Sequence, residues 1–276
     1  MFKKCLLLIL ALSPLGGCFA PSKHNIPKEA YPCNAGNLLI EEAPEKIAVL
    51  SPELENILTA FGLENTIAAV SDESSRECEF KIGTELYPNT EKIIESGAEY
   101  LFSLVGFEES VIKSLSDGGV RVFVISEPRS SNDLKEIYDS IAKMFYGAIE
   151  APKKSESAFA PYKKALEELK SKTGDSSFLY LSDRDLSQPI DTFSFGILSE
   201  IFKSGSENAA ISEDELAAIN PTYIFISGSL DEAYLLSLPA AENLSAVENG
   251  KIISTEYDFF SGFMPEQITA LSLLIE

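Results

Sequence analysis

Few of the 276 residues in this chain could carry catalytic chemistry. There is one histidine, His24, and no tryptophan. A Ser-His-Asp relay, an HExxH zinc site and a multi-histidine metal cluster each need imidazole at the reacting centre. His24 stands too near the N-terminus to sit in a core. Phosphate loops and nucleophile motifs are also missing, so the chain is expected to be a non-enzyme with no resident metal or cofactor.

The arginines are the more telling residues. The chain contains four, Arg76, Arg121, Arg129 and Arg184, against eighteen lysines spread elsewhere. Three of the four follow apolar strand runs, in Ser71–Arg76, Ser126–Arg129 and Ser182–Arg184. Guanidinium is the better planar donor to carboxylates and anionic chelates, and ligands of open α/β sheets bind beyond the carboxyl ends of the strands. One reading is therefore a cleft for a negatively charged ligand, with Arg76, Arg129 and Arg184 as countercharge. The other is that Asp72, Glu73, Glu127, Asp183 and Asp185 neutralise them in surface pairs worth little. Ser51 also follows a strand run, where it would cap a helix or leave room for a ligand. Tyr87, Phe107, Phe195, Tyr257 and Phe259 are placed to pack against a large flat or chelated molecule, although buried core packing is the commoner use of phenylalanine.

The charge balance narrows the partners. Twenty-two Lys and Arg face 43 Asp and Glu, a net of −21, so a phosphate backbone or an anionic lipid surface would be repelled. Nucleic acid is excluded as a partner on this ground.

These residues need a scaffold, and the apolar pattern supplies one. From Lys46 onward, short apolar runs alternate with amphipathic stretches, as in α/β units with a largely parallel sheet. Strands are expected at 47–50, 66–70, 100–104, 120–125, 178–181, 223–226 and 251–253. Ser51 offers an N-cap oxygen for the first helix, Pro52 its first position and Gly62 its stop. Residues 132–172 are helical in composition, and Pro161 should kink or break that stretch. The expected division is 1–17 signal, 18–43 tether, 44–150 first lobe, 151–174 connecting helix and 175–276 second lobe.

The N-terminus reads as an address. Lys3 and Lys4 precede an apolar stretch, Leu6–Leu12, that is too short to span a bilayer. It ends in Leu15-Gly16-Gly17-Cys18, which resembles the bacterial lipobox, with Cys18 as the lipidated residue. Export and attachment to the bacterial cell envelope through a lipid anchor follow as expectations, and His24 falls in the tether. Cys33 and Cys78 remain as a candidate disulfide in an oxidising compartment, or as two unpaired thiols.

A short repeat suggests two related lobes. Residues 89–102 lie over 212–225 without a gap, each with a cap, an acid in the first turn, a short helix, a Gly or Asn stop and a Tyr-aliphatic-Phe strand. The overlay pairs Glu91 with Asp214.

The run Glu45–Leu63, then Ile82-Gly83, Pro88–Ile94, Glu99–Phe102, Gly119–Val124 and Asn249–Ile253, resembles in order the solute-binding proteins of ABC importers for cobalamin, ferric siderophores and haem. The resemblance covers nearly all of Pro44–Glu276 and is thin between Asp183 and Ile211. It implies two Rossmann-like α/β lobes joined by a single long helix, a ligand cleft between them, and a monomer that works with an ABC permease and its ATPase. The acids that dock such proteins on the permease map to Glu91 and Asp214, the second flanked by Glu213 and Glu215. It implies as ligand a ferric siderophore or a corrinoid, or haem held by Tyr87 or Tyr257, since no histidine is at hand. A surface lipoprotein of the same fold that binds a host or partner protein is the competing expectation.

Overall fold

The computed structural model describes residues 28–256 and 258–275. Cys18, His24 and Tyr257, with the expected signal and the first part of the tether, lie outside the described residues.

Two parallel sheets form the scaffold. The first has five strands, β3 (Ile47–Val49), β4 (Ile67–Val70), β5 (Phe80–Lys81), β6 (Tyr100–Ser103) and β7 (Arg121–Val124), in the order β5-β4-β3-β6-β7. The second has four, β8 (Ser177–Leu181), β9 (Lys203–Ser204), β10 (Tyr223–Ile226) and β11 (Ile252–Ser254), in the order β11-β10-β8-β9. Strands form close to the places where apolar runs predicted them. Short β5 and β9 escaped notice because two residues carry no legible period.

Alternation along these strands decides which core each residue joins. Val49, Phe102 and Phe123 on one face of the first sheet share a core with Phe178, Tyr180 and Phe225 of the second. Ala48, Leu50 and Leu101 face the opposite way into a separate cluster. Leu179, Leu181, Ile224 and Ile226 do the same in the second lobe. Helix α1 (Pro52–Ala60) follows β3, with Leu54 N–H donating to Ser51 Oγ at 3.3 Å. Helices α2 (Thr90–Glu95) and α3 (Glu109–Asp117) complete the first lobe. Helices α5 (Phe193–Ile201), α6 (Glu213–Ile219), α7 (Glu232–Ser237) and α8 (Ser245–Glu248) belong to the second.

The lobes are joined by α4 (Ser131–Thr173), on which the C-terminal helix α9 (Pro265–Leu274) packs. The break expected at Pro161 falls elsewhere. The residue of α4 that leaves helical torsions is Gly147, at φ 67° and ψ 174°. Pro161 is exposed and the helix runs on through it. Beyond the break, Ala151, Ser155, Phe159, Tyr162, Leu166, Leu169 and Thr173 form the buried stripe.

A second correction concerns the tether, which is folded from Lys28 on. A short turn, Lys28–Ala30, leads into an antiparallel hairpin of β1 (Cys33–Ala35) and β2 (Leu38–Ile40), with Ala30, Ala35 and Ile40 fully buried. Three-residue strands around a Gly-containing turn were too short to show periodicity. The Cys33–Cys78 bridge is not formed, and both thiols are free. Cys33 Sγ donates to Lys143 O at 3.4 Å and Cys78 Sγ to Ala68 O at 3.2 Å. One is thereby held against α4 and the other against β4.

Candidate ligand-binding cleft

Both sheets are parallel, so each gathers its helix-leading loops at one end. Those ends meet at the lobe junction, where Arg129 after β7 lies 3.3 Å from Asp191 after β8. Glu127, just after β7, feels the charges of Glu53 at the start of α1 and of Asp258 after β11. Burial comes first and these two carboxylates next in pushing the Glu127 carboxyl above its ordinary range, with Arg129 opposing them. Glu85 is half-buried, which raises its carboxyl, and it senses Glu53 and Glu73. Its Oε1 accepts from Leu104 N–H at 2.6 Å and Ser103 Oγ at 3.2 Å, which pins the loop after β5 to the end of β6. Beside that pin, Leu86 and Tyr87 stand in solvent, 76% and 81% exposed.

On the opposite wall Asp258 holds φ at 54°, a torsion few non-glycine residues adopt. Its Oδ1 accepts from Ser194 N–H at 3.0 Å and Ser194 Oγ at 2.6 Å. Such strain clusters where geometry is set for function.

The predicted cleft residues are not brought together as drawn. The three arginines are each paired with an acid distant in sequence, and none of those partners is among the loop acids expected to neutralise them. Arg76 Nε lies 3.3 Å from Oε2 of Glu55, a buried residue of α1. Arg129 Nη1 lies 3.3 Å from Asp191, with both side chains exposed. Arg184 Nη2 lies 3.7 Å from Asp231, and its guanidinium rests over the Tyr234 ring at 4.9 Å. Ser51 is 1% exposed and its hydroxyl serves Glu53 and the α1 cap. Phe195 is buried against Phe178, with ring centroids 5.6 Å apart. Phe107 packs partly on the outer core of the first lobe. Phe259 is half-buried against Phe260. Among the described residues, no three His, Cys, Asp or Glu side chains come together as a metal cage.

Glu53, Glu85, Glu127 and Asp258 were missed as cleft residues. Like the arginines, Glu53, Glu127 and Asp258 are charged residues shortly after strand ends, at β3, β7 and β11. That placement was the signal in the sequence for these three carboxylates.

Glu91 and Asp214, the acids expected to dock, both face solvent. Glu91 is exposed in the first turn of α2, which Asn89 caps through Lys92 N–H at 3.0 Å. Glu213, Asp214 and Glu215 are all exposed at the start of α6. Glu215 is committed to a capping box, its Oε2 accepting from Ser212 N–H at 2.7 Å. Among the described residues, neither Glu91 nor Asp214 forms an ion pair.

No family model matches the sequence, and no curated protein matches it. Solved structures do resemble the fold. The periplasmic heme binding protein HutB of Vibrio cholerae superposes with a TM-score of 0.63 at 16% identity, over 83% of this chain and 98% of that one. The iron uptake ABC transporter substrate-binding protein PiuA from Streptococcus pneumoniae gives 0.64 at 16% identity, over 87% and 94%. A periplasmic heme binding protein from Pseudomonas aeruginosa gives 0.57 at 18% identity, over 84% and 92%. The chain therefore has the fold of two-lobed periplasmic binding proteins, with two parallel sheets and a long central helix.

Proposed function

We propose that the protein is the substrate-binding component of an ABC importer for an iron chelate or related nutrient, exported and held to the cell envelope through Cys18. The fold shared with iron and haem binding proteins supports this reading, and so does the carboxyl-end junction of the two sheets. Glu91 and Asp214 would meet basic residues of the permease.

The walls bear on which chelate is carried. With Arg76, Arg129 and Arg184 each paired to an acid of the protein, the anionic-ligand hypothesis loses its countercharge. Glu53, Glu85, Glu127 and Asp258 leave the junction acidic. A ligand rich in free carboxylates, haem included, would meet like charge. A ferric chelate of neutral or positive charge, or a corrinoid, would not, and Leu86 and Tyr87 offer it apolar surface. Native mass spectrometry of the chain against a neutral ferric hydroxamate, a carboxylate-rich ferric chelate, cobalamin and haem tests this. Retention of the hydroxamate or cobalamin supports it, and selective retention of the carboxylate-rich chelate or haem overturns the charge argument. A chain that retains none of them would favour the partner-protein reading.

A further inference from the structure

We propose that the segment Ala30–Cys33 is a clasp on the break in α4, and that it sets the angle at which the second half of that helix leaves the first lobe. In an unbroken helix the carbonyl of Lys143 would pair with the Gly147 N–H, and that of Met144 with the Ala148 N–H. Two side chains from the N-terminal segment enter that ladder. The Tyr31 hydroxyl donates to Met144 O at 2.8 Å and is approached by the Gly147 N–H. The Cys33 thiol donates to Lys143 O at 3.4 Å and is approached by the Ala148 N–H. Insertion of side chains into the ladder is a known physical cause of a sharp helix bend. Here the inserting groups come from a segment more than a hundred residues away in sequence.

Steric fit makes the clasp specific to this bend. A β-carbon on Gly147 would stand 2.5 Å from the Ala30 β-carbon and 2.8 Å from its carbonyl oxygen. Ala30 is itself fully buried, so neither partner has room to yield. The clasp is in turn anchored to the sheet of the first lobe. Gly36, in the hairpin turn, packs on Phe123 of β7, and Arg121 of β7 donates to Leu39 O. A chain of contacts therefore runs from the edge strand through the hairpin to the break, and the helix beyond the break carries the second lobe. Burial first, then the nearby Cys33, holds the Tyr31 phenol well above its ordinary range, so it remains a donor into alkaline solution.

The test uses the full chain carrying Tyr31→Phe and Cys33→Ala, which keep most of the packing and remove the two donors. Amide hydrogen exchange at residues 144–150 is expected to rise roughly tenfold, as loss of about one net hydrogen bond would give. Exchange in β8 and β10 should stay as it was, and the small-angle X-ray distance distribution should broaden as the lobes sample more angles. Unchanged exchange at 144–150 would overturn the clasp. So would a loss of protection shared equally by β8 and β10, which would make the contacts general stabilisation, and so would an unaltered distance distribution. Gly147→Ala provides a second reading, since its β-carbon has to expel Ala30. Limited proteolysis between residues 28 and 33 should then quicken, and unchanged resistance there counts against the proposal.

Discussion

The carbonyl oxygen of Arg129 sits where a β-carbon on Gly196 would have to be. Arg129 precedes α4 in the first lobe and Gly196 lies within α5 of the second, so the two backbones meet at a point that only glycine allows. The contact is reinforced close by, where Glu200 of α5 accepts from Ser131 N–H at 2.7 Å and Ser131 Oγ at 2.6 Å. Gly196→Ala is expected to force the lobes apart at this point and cost about 1–3 kcal/mol, the range for overpacking a tight interior. Chemical denaturation measures the loss, and a shift in the small-angle scattering profile should accompany it. A stable variant with an unchanged profile would show that α5 can slide.

The three arginines should separate by what they hold. Arg76 covers Glu55, whose side chain is 8% exposed and whose Oε1 has no hydrogen-bond partner among the described residues. Arg76→Ala leaves a buried carboxylate short of its cation and should cost about 1–3 kcal/mol. Arg129→Ala and Arg184→Ala remove exposed pairs and should stay within about 0.5 kcal/mol. Ligand affinity should survive all three substitutions in any variant that folds. A large affinity loss from Arg129→Ala or Arg184→Ala would restore the anionic-ligand reading.

What was legible in the sequence follows from the length of the pattern. Ile47–Val49 and Tyr223–Ile226 announce themselves because both faces of a central parallel strand are buried and the run is wholly apolar. Ser51, Asn89 and Ser212 cap the helices they precede because a cap is a local interaction. The pairing of Arg76 with Glu55 spans 21 residues and depends on how β4 lies against β3, which no local window contains. The break at Gly147 was hidden in the same way. Proline signals a helix stop locally, but here the bend is made by Ala30, Tyr31 and Cys33 arriving from elsewhere.

Ser212 and Glu215 form a reciprocal cap, while Asp214 between them is left for other work. The backbone N–H of Ser212, then its hydroxyl, holds the Glu215 carboxyl below its ordinary range. A depressed carboxyl contributes stability above its unfolded-state value, and that contribution is lost as pH falls through the folded-state value. Glu215→Ala should therefore destabilise at neutral pH, with the deficit closing on acidification below the ordinary glutamate range. Ser212→Ala should cost about 1 kcal/mol, as loss of an N-cap does. Asp214→Lys together with Glu91→Lys should leave stability and ligand affinity intact and abolish uptake in cells. Uptake that persists in the double variant would remove both residues from the docking surface.

Glu127 offers the most direct test of the charge the cleft prefers. Its carboxyl is raised by burial, then by Asp258 and Glu53. A carboxyl raised in the folded state favours the fold most at low pH, and that contribution is lost as pH rises through the folded-state value. Glu127→Gln should accordingly stabilise the unliganded protein at neutral pH and lose that advantage on acidification. A cationic ligand in the cleft would draw the raised carboxyl back down. Binding should then release protons between the ordinary glutamate range and neutrality, with affinity weakening as pH falls across it. Calorimetry with a cationic ferric chelate in buffers of different ionisation enthalpy reads the proton count directly. Glu127→Gln should reduce that release and weaken binding together, whereas proton uptake on binding would place an anion beside this carboxylate.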